Sequence, residues 1–327
     1  MNENIVPEKV LSKFGFCPSA TVEKFGVGLI HLTYLVRDGR KKYILQRMSP
    51  IFTPGILPDM CAVSEYLSEN GSETQKLIPT LDGKLFVEHD DYNWRLLTFI
   101  PGRVFQKAKD EEMAYEAGRI LGAFHRQLLF FNYSFAKGRE GKTPRKRYQK
   151  FLRVTAGQHS PQIEYLKGEI SRLPDYFLPR RASRLRVVHG DPKISNIIWT
   201  PKGKRLAIAL IDTDETTSKG NTILELGDAF RSWCGGVEHD SHNAFDMKKF
   251  EAAKTGYQDG SLGMLRENEE ALLIQAVKIK CLELASRFLV DYFEDCYFGW
   301  NKKLFSSRKE HNLARAKGQV ALYKSIP

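Results

Sequence analysis

The residues best suited to chemistry lie in one segment, Val187-Val-His-Gly-Asp-Pro-Lys-Ile-Ser-Asn-Ile-Ile-Trp199, and at the end of the next hydrophobic run, Asp212. A carboxylate such as that of Asp191 can orient a hydroxyl group and take its proton. The side-chain oxygens of Asn196 and Asp212 are hard ligands of the kind that Mg²⁺ prefers. We therefore predict Asp191 as a catalytic base, and Asn196 and Asp212 as ligands of Mg²⁺.

The spacing within this segment points to one reaction. His-Gly-Asp-x-x-x-x-Asn, followed by a strand that ends in Asp, has the Asp-to-Asn spacing of a kinase catalytic loop. This spacing predicts the transfer of a phosphoryl group from ATP to a hydroxyl. Lys193, two residues after the base, is predicted to offset charge on that group, although a solvated loop lysine is an equally good interpretation. Asp214 is an alternative metal ligand.

Taken singly, each of these residues also has a structural interpretation. Asp191 could cap a helix, Asn196 could form an Asx turn, and Asp212 could simply end a strand. The functional hypothesis depends on all three occurring together at the right spacing.

The first hundred residues predict the small lobe that would accompany such a loop. We expect strands with hairpin turns at Asp38-Gly39 and Asp82-Gly83, and a helix from Asp59 to Leu67. The pair Gly26 and Gly28 would let backbone N–H groups approach phosphates, and a tight hairpin explains it nearly as well.

Beyond Pro101-Gly102 the pattern is mostly helical. Apolar residues recur at three- and four-residue intervals from Met113 to Leu128 and from Leu272 to Leu289, which predicts two amphipathic helices. The basic stretch Lys142–Lys150, together with Ser134–Gly141, is interpreted as a surface loop. The chain is therefore predicted to be α+β, with a β-rich N-terminal nucleotide-binding lobe, residues 1–100, and a larger helical catalytic and substrate-binding lobe, residues 101–327.

Several stretches spread over nearly the whole chain carry a resemblance to a known family. They are Gly28–Tyr34, Tyr43–Arg47, Trp94–Gly102, His189–Asn196, Leu226–Ser232, Arg287–Tyr292 with Tyr297-Phe298, and Asn312–Gln319. In them the chain resembles the aminoglycoside phosphotransferase/choline kinase-like superfamily, and within it the N-acetylhexosamine 1-kinase-like sugar kinases. The resemblance implies a two-lobed, protein-kinase-like fold that binds ATP between its lobes.

The same resemblance implies roles for further residues. Thr98 and Ile100 fall in the hinge that would contact the nucleotide, and Arg287 and Tyr297 match positions expected to face the sugar. A structural alternative for Arg287 is an ion pair with Asp291 or another nearby carboxylate.

The chain departs from the superfamily at the strand that usually carries a phosphate-binding lysine. That strand reads Leu45-Gln46-Arg47. We favour Arg47 as the nucleotide-binding residue, because it supplies a fixed positive charge and Gln46 does not. Glu65, on the following predicted helix, is the expected carboxylate partner.

Composition excludes several classes of protein. The 327 residues are 42% hydrophobic and 27% charged, which is ordinary for a folded domain, and the net charge is +11. The basic stretches lack stacking aromatics or a zinc-finger pattern, so we expect no specific nucleic-acid partner. The apolar runs are too short to span a membrane, and no secretory signal is recognised. Five scattered cysteines without zinc spacing favour reduced thiols and the cytoplasm.

Together these observations predict an ATP- and Mg²⁺-dependent small-molecule kinase. The acceptor that the resemblance implies is a sugar hydroxyl, specifically the anomeric hydroxyl of an N-acetylhexosamine or related sugar. The alternatives are an aminoglycoside, choline or other amino-alcohol kinase, and a non-catalytic nucleotide-binding regulator. The sequence leaves open the exact acceptor, the choice between ATP and GTP, and the oligomeric state.

Overall fold

The computed structural model describes residues 6–26, 30–135, 143–179 and 182–327. The chain divides into two compact units, one comprising Met1–Pro101 with Asn132–Lys137 and the other Gly102–Phe131 with Gly138–Pro327. The helices are α1 (Glu8–Lys13), α2 (Leu57–Glu69), α3 (Glu111–Gln127), α4 (Pro144–Thr155), α5 (Pro161–Ile170), α6 (Thr222–Cys234), α7 (Met247–Ser261), α8 (Glu267–Glu270), α9 (Leu273–Glu294) and α10 (Arg308–Ser325). The strands are β1 (Thr21–Lys24), β2 (Leu32–Asp38), β3 (Lys41–Arg47), β4 (Leu77–Ile78), β5 (Val87–His89), β6 (Tyr92–Thr98), β7 (Leu185–Val188), β8 (Ile197–Trp199), β9 (Ala207–Leu210) and β10 (Thr217–Asn221).

The first unit is built on an antiparallel sheet with the strand order β1-β2-β3-β6-β4, in which β5 also pairs with β6. Successive side chains of a strand point to opposite faces. Tyr34 and Leu45 therefore pack on the side of α1, and Leu35 and Ile44 pack on the side of α2. The sheet is thus covered by apolar contacts on both faces.

The hairpin turns of this sheet differ in part from the prediction. Gly39, with a φ of +58°, lies in the turn between β2 and β3 as expected. The second hairpin turns at Asp90-Asp91, both with positive φ, and not at Asp82-Gly83. The tight β5–β6 turn needs left-handed backbone at both central residues, and Asp is among the residues that tolerate it. Asp82-Gly83 forms a separate turn in which Gly83 N–H donates to the Thr80 carbonyl, at 2.9 Å.

The second unit is predominantly helical, and two of its helices cross at very close range. Asp110 caps α3 by accepting the N–H of Met113 at 3.0 Å. A Cβ added to Gly122 of α3 would lie 2.7 Å from the backbone nitrogen of Ser261 on α7. Only glycine permits this backbone approach, which fixes α3 against α7.

The basic stretch interpreted as a loop is helical over residues 144–150. Thr143 caps α4, Pro144 occupies its first turn, and Phe151 is buried in the core. Residues 136–142, the other part of the predicted loop, lie outside the described residues.

The remaining elements frame the predicted catalytic segment. Strands β7 and β10 form one small antiparallel sheet, and β8 and β9 form another. The second predicted amphipathic helix is confirmed as α9, which contacts α4, α6 and α10. Among the described residues no helix combines the length and the apolar character needed to cross a bilayer.

Candidate active site

The loop that carries Asp191 follows β7, and one glycine determines its backbone. Gly190 has a φ of +90°, and a Cβ there would lie 2.6 Å from the Cβ of Glu215 and 2.8 Å from its carbonyl carbon. Both the backbone conformation and the available space exclude a larger residue. The glycine of the His-Gly-Asp motif is therefore required sterically.

Two donors converge on the Asp191 carboxylate. Lys193 Nζ donates to Oδ2 at 2.5 Å, and Asn196 Nδ2 donates to the same oxygen at 3.2 Å and to the Asp191 carbonyl at 2.9 Å. Within the described parts of the chain, Oδ1 accepts no hydrogen bond, and the side chain is 36% exposed. Asp191 is therefore held through one oxygen while the other remains open to an incoming hydroxyl.

Lys193 is a cation fixed beside the proposed base. Burial lowers the pKa of Lys193, but the nearby carboxylates of Asp191 and Asp212 outweigh it, so the pKa lies above its ordinary value. The ammonium group is therefore charged across the physiological pH range.

Asp212 follows β9, and the residue before it is hydrogen-bonded to the backbone of Asn196. Its backbone is left-handed, with φ 68° and ψ 57°, a conformation that is uncommon outside glycine and concentrated at functional sites. The preceding Ile211 donates its N–H to the Asn196 carbonyl at 2.8 Å and presents its own carbonyl 3.0 Å from His189 Nε2. The two predicted metal ligands thus lie on adjacent segments, and the rival Asp214 is buried two residues further on.

The chemistry of these donors fits a magnesium ion. Because Asn196 directs its Nδ2 to Asp191, the amide Oδ1 is the atom left for a cation. An amide oxygen together with the Asp212 carboxylate provides the small number of hard ligands that Mg²⁺ takes from protein.

His189 belongs to the framework of the loop. Burial lowers the pKa of His189, since a charged imidazole would be poorly solvated there. Its Nδ1 lies 3.3 Å from the Asp191 N–H, and its ring packs edge-on against Phe124. His189 therefore ties the loop to the Asp212 segment.

A buried network beneath the loop was not predicted from the sequence. Glu225 on α6 accepts the Gly190 N–H through Oε1 at 2.7 Å, and its Oε2 lies 2.5 Å from His125 Nε2. The other nitrogen of His125, on α3, lies 2.9 Å from the Tyr257 hydroxyl on α7. Three helices thus position the residue that precedes Asp191. The sign of this network in the sequence is His125, a histidine within the apolar stripe of α3.

A chain of ion pairs starts beside Lys193. Glu238 is close enough to contribute to the raised pKa of Lys193, and its Oε1 lies 3.7 Å from Arg231 Nη1. Arg231 Nε donates to Asp228 Oδ1 at 2.9 Å, and Asp228 Oδ2 lies 3.5 Å from Lys280 Nζ. Burial raises the pKa of Asp228, but Lys280 and Arg231 hold it well below its ordinary value.

The chain of ion pairs continues towards Arg287 and Tyr297, the residues predicted to face the sugar. Lys280 Nζ lies 3.3 Å from Glu283 Oε2, and Glu283 Oε1 lies 2.7 Å from Arg147 Nη1. One helical turn after Glu283, Arg287 places Nη2 3.5 Å from the Tyr297 hydroxyl. Burial and the nearby Arg147 lower the pKa of Arg287. The structure thus brings Arg287 and Tyr297 together; Arg287 makes no ion pair within the described residues.

The residues predicted to bind nucleotide lie in the first unit. Gly26 follows β1 with a φ of +76°, and Gly28 is outside the described residues. Thr98 ends β6, where its Oγ1 accepts the Lys76 N–H at 3.0 Å, and Ile100 is buried.

Gln46 and Arg47, on the strand where the superfamily usually carries a phosphate-binding lysine, lie on opposite faces of the sheet. Arg47 places its guanidinium carbon 4.1 Å from the Tyr92 ring centroid, on the face that packs on α1. Gln46 is on the face of α2, where its Oε1 accepts a 2.8 Å bond from Arg95 Nε. Arg95 also contacts Met60 of α2 and is fully buried. Arg95, which the sequence did not single out, therefore brings positive charge to Gln46.

The carboxylate buried on α2 is not Glu65. Glu65 is exposed, whereas Asp59 in the first turn of α2 is buried and accepts the Tyr133 hydroxyl at 3.0 Å. Asp59 is therefore the acidic residue of α2 that is buried in the first unit.

A known family model matches most of the chain. Residues 21–253 match the model of the APH family, described as the phosphotransferase enzyme family. The chain belongs to this phosphotransferase family. The superfamily expected from the sequence is thereby confirmed, and the match does not extend to the sugar-kinase branch.

Solved structures support the same fold. A microcompartment-associated aminopropanol kinase has a TM-score of 0.73 at 16% identity, with 98% of each chain covered. An amicoumacin kinase in complex with AMP-PNP, Ca²⁺ and Ami has a TM-score of 0.68 at 15% identity, covering 96% of this chain and 91% of that one. An ethanolamine kinase of Plasmodium vivax has a TM-score of 0.58 at 13% identity, covering 93% and 83%. The predicted α+β, kinase-like fold is confirmed.

Proposed function

We propose that this phosphotransferase transfers the γ-phosphate of ATP to a sugar hydroxyl, specifically the anomeric hydroxyl of an N-acetylhexosamine or a related sugar. The observation that carries the proposal is the Asp191 carboxylate, which is held through Oδ2 and open at Oδ1. A base in this arrangement can receive a hydroxyl in a defined direction, which is what in-line attack on a phosphoryl group requires.

In the proposed reaction, Asp191 Oδ1 accepts a hydrogen bond from the acceptor hydroxyl. The carboxylate takes the proton as the new oxygen–phosphorus bond forms and the bond to the leaving ADP breaks. Lys193 places its charge beside the transferring group. Asn196 and Asp212 would hold the Mg²⁺ that accompanies ATP and that neutralises charge on its phosphates.

The charges near Arg287 favour an uncharged acceptor. The three carboxylates of the ion-pair chain, on Asp228, Glu238 and Glu283, each pair with a cation. The guanidinium of Arg287, by contrast, lies over the rings of Tyr297 and Phe298 and makes no ion pair within the described residues. Such a group can donate to the hydroxyl and carbonyl oxygens of a sugar, and it would repel a protonated amine.

The residues proposed to bind ATP are Gly26, Gly28, Arg47, Thr98 and Ile100. Gln46 with Arg95 is the competing candidate for the phosphate contact, because Arg95 supplies the charge that Gln46 lacks. We further propose a cytoplasmic location, consistent with the five free cysteines.

An amino-alcohol kinase is the second candidate, since aminopropanol and ethanolamine kinases share this fold. ATP consumption should be measured across N-acetylhexosamines, other sugars and amino alcohols, and the phosphate located on the product by NMR. A sugar 1-phosphate is the expected product. Transfer to an amino alcohol alone would replace the acceptor assignment, and nucleotide binding without transfer to any acceptor would favour a regulator.

A further inference from the structure

The buried carboxylate of Asp291 accepts four hydrogen bonds. It lies near Arg287 and Tyr297, the residues proposed to contact the phosphate acceptor. It lies in the last turn of α9 and is 2% exposed. Oδ1 accepts the backbone N–H groups of Cys296 at 3.0 Å and Tyr297 at 2.7 Å. Oδ2 accepts the N–H of Phe298 at 2.9 Å and the side-chain Nδ2 of Asn312 on α10 at 2.8 Å.

These four donors surround the carboxylate because the chain reverses just after the helix. The N–H of Asp295, which has a left-handed φ of 51°, donates to the Asp291 carbonyl at 2.8 Å. The next three N–H groups then converge on the side chain in the manner of an anion-binding nest. Burial raises the pKa of Asp291, and the bonds from Phe298, Cys296 and Tyr297 lower it by more, so the group is ionised at neutral pH.

The anchored segment carries the two rings that surround Arg287. The Arg287 guanidinium carbon lies 5.5 Å from the centroid of Tyr297 and 5.1 Å from that of Phe298. Arg287 is one helical turn before Asp291 on α9. One helix therefore presents the guanidinium and also anchors the loop that frames it.

We propose that Asp291 is a positioning residue for the acceptor. Its carboxylate fixes residues 296–298, so that Tyr297 and Phe298 hold the Arg287 guanidinium in one orientation. The proposal rests on the proposed function in one respect, namely that Arg287 and Tyr297 meet the acceptor. Asp291 itself contacts neither acceptor nor nucleotide.

The test compares two variants at the same turn. Asp291→Asn keeps the size of the side chain but turns one acceptor atom into a donor, which opposes the N–H groups that converge on it. Asp295→Asn is the matched control, because it removes the neighbouring carboxylate, which pairs with Arg308, and Asn tolerates a left-handed φ. Asn312→Ala, which removes one of the four donors, is a milder variant should Asp291→Asn not fold.

Three quantities should be measured: amide hydrogen exchange of residues 296–298, the KM for the acceptor and the KM for ATP. Asp291→Asn should speed exchange at these amides by roughly tenfold or more. It should raise the acceptor KM by roughly 10- to 100-fold, because small displacements in a binding site are costly. The KM for ATP should change by less than about twofold, and Asp295→Asn should resemble the wild type throughout.

Each arm decides a different part of the proposal. Unchanged exchange at 296–298 would overturn the anchor, and faster exchange with an unchanged acceptor KM would overturn the positioning role. A wild-type protein that phosphorylates no sugar or amino alcohol would refute the proposed function and the acceptor role together, whereas the exchange measurement would still decide the anchor.

Discussion

Replacing Glu225 by Gln should loosen the catalytic loop without changing the size of the side chain. Glu225 makes two buried hydrogen bonds, to the Gly190 N–H at 2.7 Å and to His125 Nε2 at 2.5 Å. Hydrogen bonds to charged groups contribute about 1.5–3 kcal/mol and neutral ones about 0.5–1.5 kcal/mol. Two bonds that each lose their charge should therefore cost about 2–3 kcal/mol of the free energy of unfolding.

The assay is thermal unfolding combined with steady-state kinetics. In a domain of this size that loss should lower the Tm by roughly 4–12 °C. Because Asp191 follows Gly190 directly, kcat should also fall by roughly 10- to 100-fold. Glu164→Gln is the control, since Glu164 pairs with Lys167 and His159 on the surface and its loss should leave the Tm close to that of the wild type. A Glu225→Gln protein with wild-type Tm and kcat would refute the supporting role of this network.

Three further changes test other parts of the account. Gly190→Ala should cost roughly 3 kcal/mol in chemical denaturation, because a Cβ there is strained and crowded, and normal stability would contradict the steric requirement. Asp212→Ala should weaken ATP binding by about tenfold or more in Mg²⁺ but not in EDTA, measured by calorimetry, and equal losses in both would exclude a metal ligand. Burial, with Arg315 and His239, lowers the pKa of His311 to about 4. The unfolded chain then takes up a proton near pH 6.5 that the folded protein does not, so stability should fall as the pH drops from about 6.5 towards 4. His311→Gln should flatten that slope in denaturation at a series of pH values, and an unchanged slope would contradict the assignment.

The parts of the site that were predictable are those encoded locally. Two features each depend on a few consecutive residues: the Asp191-to-Asn196 spacing and the apolar run before Asp212. The loop and the strand that follows it could therefore be inferred from the order of residues in the sequence. The long amphipathic helices α3 and α9 were equally accessible, because their apolar residues repeat with the helical period.

The parts that were missed depend on contacts between distant segments. Glu225 and His125 are 100 residues apart, and nothing in either local sequence indicates that they meet. The sequence also does not show which face of the sheet a strand residue occupies when both faces are covered by apolar contacts. Gln46 and Arg47 are neighbours, yet they point to different helices, and only the packed sheet shows that Arg95 lies with Gln46. In α4 the basic residues concealed a helix whose buried anchor is Phe151.

The role of Asp191 as the base is tested by the rate of phosphate transfer in Asp191→Asn, with nucleotide affinity measured in parallel. Asp175→Asn, which changes an exposed carboxylate in the same unit, is the matched control. If Asp191 is the base, Asp191→Asn should bind Mg-ATP normally and lose roughly 10²- to 10⁴-fold in the rate of transfer to the wild-type acceptor. Transfer at a near-wild-type rate would contradict the account.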